Sequence, residues 1–170
     1  MDVPKYWLFQ AIHYDYDITS AIWDLEYRTY GGDWWEMTRY VNDVRVGDYV
    51  LIWRSGPDAG IVGVGKICTT PIFGPMQDNI YVTEKSRQKI VGKKGYMVRI
   101  LYSPLLTENE LTPILKNALK EDGFSDLPVI KMPRSTNHKL DELMWNKLLV
   151  KYPIIKRAIV EMENNDRLRR

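Results

Sequence analysis

The chain has 170 residues and a formal net charge of only +2, with 45% hydrophobic and 27% charged residues. This composition excludes a disordered or fibrous chain and fits one globular domain that can build its own core. Because the charge excess is small, any contact with nucleic acid must come from a local basic patch.

The single cysteine, Cys68, excludes an internal disulfide and fits a reducing compartment. No run approaches 18 apolar residues, and the segment from Met1 to Lys5 lacks the apolar core of a signal peptide. We therefore expect a cytoplasmic protein without membrane contact.

Apolar runs and turn residues predict most elements of the first half. A strand is predicted over residues 5–12, followed by a helix that Thr19 or Ser20 can cap and that Gly31-Gly32 ends. Residues 33–40 fit neither pattern. Val- and Ile-rich runs predict strands over 48–53, 60–69 and 96–102, with a turn at 55–58 between the first two.

The second half is predicted to be more helical. Thr107-Glu108-Asn109-Glu110 resembles a capping box and predicts a helix over 108–119, before a short strand over 126–132. Apolar stripes predict a helix over 141–152 and another after Pro153. The charged run 163–170 is interpreted as a solvated tail or linker. These elements together predict an α+β domain with helices outside a sheet.

Motifs for catalysis or cofactors are missing. Residues 60–67 satisfy the G-x-x-x-x-G-K part of a phosphate-binding loop, but Ile67 stands where Ser or Thr must hold magnesium, so we interpret the segment as a strand. His13 and His138 are isolated, which leaves no metal-ligand cluster. We predict no catalytic residue, no metal and no cofactor, and hence a protein that is not an enzyme.

The chain is instead rich in rings that carry a polar group: six Trp and eleven Tyr against three Phe. Adjacent residues of an extended strand point opposite ways, so one of Trp34 and Trp35 is expected to face a cavity. A base stacked on such a ring gains about 1–3 kcal/mol. The predicted pocket for a base comprises His13, Tyr14, Trp34, Trp35, Trp53 and Ser55.

Basic residues near this cluster are the candidates for phosphate contacts. Arg39, Arg54 and Lys66 are predicted to bind the nucleic-acid backbone. The densest basic stretch, comprising Lys66, Lys85, Arg87, Lys89, Lys93 and Lys94, is interpreted as a solvated loop.

Several short segments, in this order, resemble the EVE domain family. They are Tyr6-Trp7, then Trp35-x-x-Thr38-Arg39-Tyr40, then the strand pair 47–56 and 60–65, and finally Leu127-Pro128-Val129-Ile130 with Pro133-x-x-Thr136-Asn137 before Trp145. The resemblance implies a PUA-like β-pseudobarrel of about five to six strands surrounded by helices. It also implies an EVE domain over residues 1–152, with 153–170 as a C-terminal helix and charged tail that could link to another domain.

The resemblance further implies a reader that flips a modified base into an aromatic pocket, by similarity to the YTH and SRA relatives. Methylated DNA is the expected partner, and an RNA is the alternative. EVE-type domains also occur at the N-terminus of McrB-like proteins. The resemblance therefore implies, as one option, a fusion to an AAA+ GTPase motor that recruits a nuclease. A less favoured reading is an acylated-cytidine hydrolase resembling ASCH proteins, with Lys66 and Thr69 or Thr70 in its site. We expect Trp35→Ala to abolish base preference and leave the fold intact.

Overall fold

The structure, a computed structural model, describes residues 3–169, and side chains up to residue 167. Met1 and Asp2, on which part of the signal-peptide argument rests, and Arg170, the end of the predicted charged tail, lie outside the described residues. Within this range no helix has both the length and the apolar character of a membrane span.

Ten strands and seven helices alternate irregularly along the described chain. The strands are β1 (Tyr6–Ala11), β2 (Asp33–Met37), β3 (Tyr49–Arg54), β4 (Gly60–Ile67), β5 (Ile72–Pro75), β6 (Lys94–Pro104), β7 (Leu106–Thr107), β8 (Glu110–Leu111), β9 (Ile114–Leu115) and β10 (Asn137–Leu140). The helices are α1 (Ile18–Ala21), α2 (Leu25–Thr29), α3 (Glu84–Ile90), α4 (Lys116–Glu121), α5 (Pro128–Lys131), α6 (Glu142–Lys151) and α7 (Pro153–Arg169).

Eight strands form one curled sheet. Six of them follow the order β10-β1-β3-β4-β6-β2, while β5 adds to β6 and β9 adds to β4. The β1–β3 pair is parallel and the other pairs are antiparallel. Because β10 and β2 are the two ends of the main path, curling brings these ends near each other. The predicted α+β class and barrel-like sheet are confirmed.

Both faces of the central strands are buried, which explains why their sequences are almost continuously apolar. In β1, Leu8 belongs to the core between the sheet and the C-terminal helices, where Trp145 and Met162 also pack. Its neighbours Trp7 and Phe9 belong to a second core on the other face of the sheet.

Close packing explains the glycines of β4. A Cβ at Gly63 would lie 2.3 Å from Ile22 Cδ1, and one at Gly65 would lie 2.3 Å from Ile100 Cγ2. The segment is a buried strand, as predicted, and not a phosphate-binding loop. The register between β4 and the neighbouring strand β3 shifts between Ile52 and Trp53.

Three predicted helical or extended segments are wrong. The segment predicted as one helix up to Tyr30 is divided into α1 and α2, because Asp17 and Asp24 cap each of them separately. The apparent capping box is a hairpin turn in which Glu108 and Asn109 both have positive φ, so the following helix starts only at Lys116. Residues 126–132, predicted as a strand, contain the short helix α5.

The charged C-terminal run is not a solvated tail in the structure. Helix α7 continues through it to Arg169. Its Glu163 accepts hydrogen bonds from Tyr49 Oη at 2.6 Å and from Lys66 Nζ at 3.1 Å, and Asp166 lies 3.5 Å from the same ammonium. These contacts attach α7 to β3 and β4, which sequence periodicity alone could not reveal.

Candidate functional site

A cleft of about 200 Å³ opens between the end of β1 and the edge strand β2. The loop after β5 and helix α3 form its other side. Its lining residues are Gln10, Ala11, Ile12, Asp15, Tyr16, Asp33, Trp34, Trp35, Glu36, Met76, Gln77, Asn79, Val82, Ser86, Ile90 and Thr136. We call it the base cleft, after the base that Trp34 or Trp35 is predicted from the sequence to contact.

The two end strands of the main path, β10 and β2, meet along a line that we call the barrel seam. The base cleft occupies the part of this seam that is left open. Beside it, the seam is closed by Asn137 of β10. The Asn137 amide accepts a hydrogen bond from Thr38 N–H at 2.9 Å and donates one to Glu36 O at 3.2 Å. The edge of β2 is therefore tied to β10 around residues 36–38, while residues 33–36 line the cleft.

Two adjacent tryptophans line the base cleft but differ in burial. Trp35 is only 8% exposed, packs against Phe9, and donates its indole N–H to the Tyr102 hydroxyl. Trp34 is half-buried, and the Arg99 guanidinium lies 5.2 Å from the centre of its ring. Trp35 is thus fixed by the core, and Trp34 is the more exposed of the two tryptophans.

Asp33 lies at the centre of a buried hydrogen-bond network next to Trp35. Its carboxylate is 2% exposed and accepts hydrogen bonds from the hydroxyls of Tyr16 and Tyr102 and from Asn79 Nδ2 at 3.3 Å. Burial raises the pKa of Asp33 to about 6, and the hydrogen bonds from Tyr102, Tyr16 and the Trp34 backbone oppose that rise. Burial also raises the pKa of the Tyr16 and Tyr102 hydroxyls, which remain donors.

Two further groups give the cleft hydrogen-bonding capacity. The Gln10 amide donates from Nε2 to Pro133 O at 2.8 Å and to Ser135 O at 2.9 Å, which fixes its orientation. Asp15 Oδ1 is buried and accepts no hydrogen bond from the described part of the chain, although Lys89 Nζ lies 3.6 Å away. A buried carboxylate oxygen with spare capacity favours a ligand that brings an N–H donor.

The predicted pocket residues do not converge on this one cleft. Tyr14, Trp53 and Ser55 line a neighbouring cavity of about 230 Å³, which shares only Gln10 and Ile12 with the base cleft. We call this neighbour the second cleft. Trp53 is 2% exposed and belongs to the core, so it is not the open stacking surface that we expected. His13 is exposed and hydrogen-bonds Ser55.

The three predicted phosphate ligands are also in different settings. Arg39 donates to Asn137 O at 2.9 Å, and Arg54 donates to Thr19 Oγ1 at 3.0 Å and to Asp58 O. Within the described residues neither guanidinium has a carboxylate partner, so both keep an unneutralised charge. Lys66 is different, because its ammonium is already paired with two carboxylates of α7; the structure gives it a role in holding that helix.

Sequence reasoning missed most of the polar lining of the base cleft. Asp33 precedes the tryptophan pair that was singled out, but nothing in the sequence distinguishes it from other acidic residues. Asn79 and Gln10 come from segments far apart in the chain and meet only because the sheet curls. The described residues contain no group of three or more His, Cys, Asp or Glu side chains that could hold a metal ion.

The comparisons with known proteins agree with this architecture. The model of the EVE domain family matches residues 5–151. No curated protein matches the chain by sequence. Among solved structures, a protein from Pseudomonas syringae is 21% identical with a TM-score of 0.56, and the match covers 85% of this chain and 97% of that chain.

Two other solved structures have the same fold. The human THYN1 protein, in complex with DNA containing 5-methylcytosine, is 13% identical with a TM-score of 0.53, over 86% of this chain and 96% of that one. A mutant of the ZmASCH protein from Zymomonas mobilis is 12% identical with a TM-score of 0.54, over 86% and 97%. Identities this low show a shared fold, which confirms the predicted PUA-like architecture.

Proposed function

Because the chain belongs to the EVE domain family, we propose that it is a binding module that holds one modified base of DNA in the base cleft. One observation carries the proposal: Trp34 and Trp35 line a small cleft that also contains fixed polar groups. Flat apolar walls with a few placed hydrogen-bonding groups are what a single nucleobase requires. The fold neighbour from human, which is bound to methylated DNA, supports the same reading.

One acceptor in the cleft narrows the class of base. Among the described residues nothing donates a hydrogen bond to the buried Asp15 Oδ1, although Lys89 Nζ forms an ion pair with it at 3.6 Å. A carboxylate oxygen can accept from the exocyclic amino group of cytosine or adenine, but it repels the carbonyl oxygen that thymine carries at the same place. We therefore propose an amino-bearing modified base, such as 5-methylcytosine or N6-methyladenine.

Binding in this cleft requires extrusion of the base from duplex DNA. The lining groups lie in a cleft between β1, β2 and α3, and we infer that a base must leave the stack to contact them. An extruded nucleotide loses stacking and pairing energy, which the tryptophan contacts and the hydrogen bonds in the cleft must offset.

A matched set of duplexes tests this function. Three duplexes of one sequence would carry 5-methylcytosine, cytosine or thymine opposite the same guanine. We expect the tightest binding to the first. Thymine has the same methyl group and, as a mismatch, is easier to extrude. Weaker binding to it would therefore show that the affinity depends on the amino group of the base. Equal affinity for all three would exclude 5-methylcytosine as the bound base.

The same set should include N6-methyladenine and adenine, each opposite thymine, because the cleft supports either amino-bearing base. A 2-aminopurine placed next to the target reports extrusion, since its fluorescence rises when stacking is lost. A modified duplex that binds tightly without this rise would argue against base flipping.

We further propose that the module binds without turnover, in contrast to an acylated-cytidine hydrolase. The lysine considered for that reaction, Lys66, is paired with Glu163 and Asp166. Thr69 Oγ1 accepts a hydrogen bond from Arg99 N–H at 3.0 Å. Neither residue lines the base cleft. Incubation with N4-acetylcytidine should release no acetate, and measurable release would favour the enzyme.

RNA binding and coupling to a motor stay predictions. Competition between tRNA and methylated duplex at one salt concentration separates the two nucleic acids, because phosphate contacts alone are salt-sensitive and do not discriminate. A GTP-driven motor that recruits a nuclease would use such a module to select its DNA.

A further inference from the structure

The turn after β1 separates the two clefts and carries an exposed aromatic ring. Ile12 lines both clefts, Asp15 lines the base cleft, and Tyr14 between them lines the second cleft. Tyr14 is 54% exposed. This ring therefore stands at the boundary of the two cavities, where a ligand in the base cleft would come close to it.

The turn is held firmly from both sides. On one side, His13 N–H donates to Ser55 Oγ at 2.9 Å, and the His13 ring lies so close to Gly56 that a Cβ there would be 2.7 Å from it. On the other side, Thr83 Oγ1 donates to Tyr14 O at 2.8 Å. The His13 ring also contacts the Tyr14 ring edge-on, with centroids 5.2 Å apart. The exposed ring is therefore presented by an ordered backbone.

Two lysines of α3 accompany this ring. Lys85 Nζ lies 5.7 Å and Lys89 Nζ 5.9 Å from the centre of the Tyr14 ring. In the described part of the chain Lys85 has no carboxylate within ion-pair distance, and Lys89 is 3.6 Å from Asp15 with half of its side chain exposed. The next residue after Lys85, Ser86, lines the base cleft, so these cations stand beside the entrance to that cleft.

We propose that Tyr14, Lys85 and Lys89 form the contact with the duplex that flanks the extruded base. This inference rests on the proposed function. When a nucleotide leaves the stack, the neighbouring base pair exposes an apolar face, and an aromatic ring on a rigid turn can stack against it. The two ammonium groups beside the ring suit the phosphates on either side of the extruded nucleotide. Part of the basic stretch that we interpreted as a solvated loop thus becomes an interaction surface.

The test compares one modified oligonucleotide in duplex and single-stranded form. A single strand can place its base in the cleft without a neighbouring base pair. Tyr14→Ala should therefore weaken duplex binding at least about fivefold and change single-strand binding by less than about twofold. Tyr14→Phe, which keeps the ring, should bind as the parent does. Tyr30→Ala removes another exposed tyrosine that lines neither cleft and should leave both affinities unchanged.

The lysines have a separate readout. Lys85→Ala with Lys89→Ala should reduce the slope of log K against log salt for the duplex by about 1–2, since each phosphate contact contributes about 0.9. Lys156→Ala, an exposed lysine of α7, is the control. An unchanged slope would remove the lysines from the contact.

Two other outcomes would overturn the role of Tyr14. Equal losses on duplex and single strand would place Tyr14 at the base itself, and no loss on either would show that it touches no nucleic acid. Thermal unfolding of each variant separates these outcomes from misfolding. If the parent binds plain and modified duplexes equally, base reading fails, yet a loss confined to the duplex would still support the Tyr14 contact.

Discussion

The backbone N–H of Thr38 donates a 2.9 Å hydrogen bond to the side-chain Oδ1 of Asn137, which follows it 99 residues later in the chain. The side-chain amide of Asn137 also donates a hydrogen bond from Nδ2 to Glu36 O at 3.2 Å. Asn137 is 1% exposed, and its backbone O accepts from Arg39. One side chain thus replaces strand pairing at the place where the barrel seam closes, and the base cleft is the part of the seam beyond its reach.

Asn137→Ala should lower the free energy of unfolding by about 1–3 kcal/mol, because it leaves Glu36 O of β2 and the N–H of Thr38, which directly follows β2, without their partner. It should also weaken modified-base binding, since β2 carries both tryptophans of the cleft. Chemical denaturation and duplex titration measure the two effects. Asn117→Ala, on the exposed face of α4, removes the same amide without either effect. If Asn137→Ala is as stable as the parent, other contacts between β2 and β10 must keep the barrel seam closed.

Trp34 and Trp35 should separate binding from stability. Trp35→Ala removes a core side chain and should cost about 3–5 kcal/mol, so the burial of Trp35 argues against our expectation that this variant keeps its fold intact. Trp34→Ala removes a half-buried ring and should cost about 1 kcal/mol, while reducing affinity for the modified duplex at least about fivefold. Unfolding curves and titrations of the two variants test this. Unchanged affinity in Trp34→Ala would exclude that ring as a wall.

The raised pKa of Asp33, about 6, predicts a pH dependence of stability. In the unfolded chain the pKa returns to about 3.9, so the folded state binds the proton more tightly. Stability from this group is therefore complete below pH 4 and is lost as pH rises through 6. Between pH 7.5 and 5.0 the gain should be about 1–2 kcal/mol.

Asp33→Asn isolates this effect, because the amide does not titrate. The parent should gain more stability than this variant when the pH falls from 7.5 to 5.0, as measured by denaturant unfolding at both pH values. Asp58→Asn removes an exposed carboxyl and should show the dependence of the parent. Identical dependence in all three proteins would mean that Asp33 does not titrate in this range.

Lys66 should matter for stability rather than for nucleic-acid binding. Its ammonium is 3.1 Å from Glu163 and 3.5 Å from Asp166, with 19% of its side chain exposed. Lys66→Met should lower the free energy of unfolding by about 1–3 kcal/mol, because it leaves partly buried carboxylates without a counter-charge. The salt slope of duplex binding should not change. A reduced slope in this variant would return Lys66 to the phosphate contacts.

Local patterns in the sequence predict the strands well because those strands are buried on both faces. The runs around Leu8, Leu51 and Val62 contain few polar residues, and turn residues mark their ends. The prediction of a helix over 108–119 is wrong, and the reason is also local. Glu108 and Asn109 adopt positive φ in a hairpin turn, and the same four residues satisfy the pattern of a helix cap.

The candidate site was predicted only in part. Trp34 and Trp35 stand out in the sequence because two adjacent tryptophans are rare, and both line the base cleft. Trp53 stands out equally but is covered by the C-terminal half of the chain, to which Phe124 and Trp145 of its core belong. Chemical type identifies an aromatic residue; burial depends on what the fold places over it.

The sequence by itself determined the family, the strand-forming runs and the tryptophan pair, since each of these depends on residues that are neighbours in the chain. Only the tertiary structure decided which polar groups accompany the pair. Asp15, Asn79 and Gln10 meet at one opening because the sheet curls and because Asn137 closes the seam only beside it. The tertiary structure also gave Lys66 its carboxylate partners and, within residues 3–169, left Lys85 beside Tyr14 without one. Contacts between distant segments depend on the path of the whole chain, which no local pattern records.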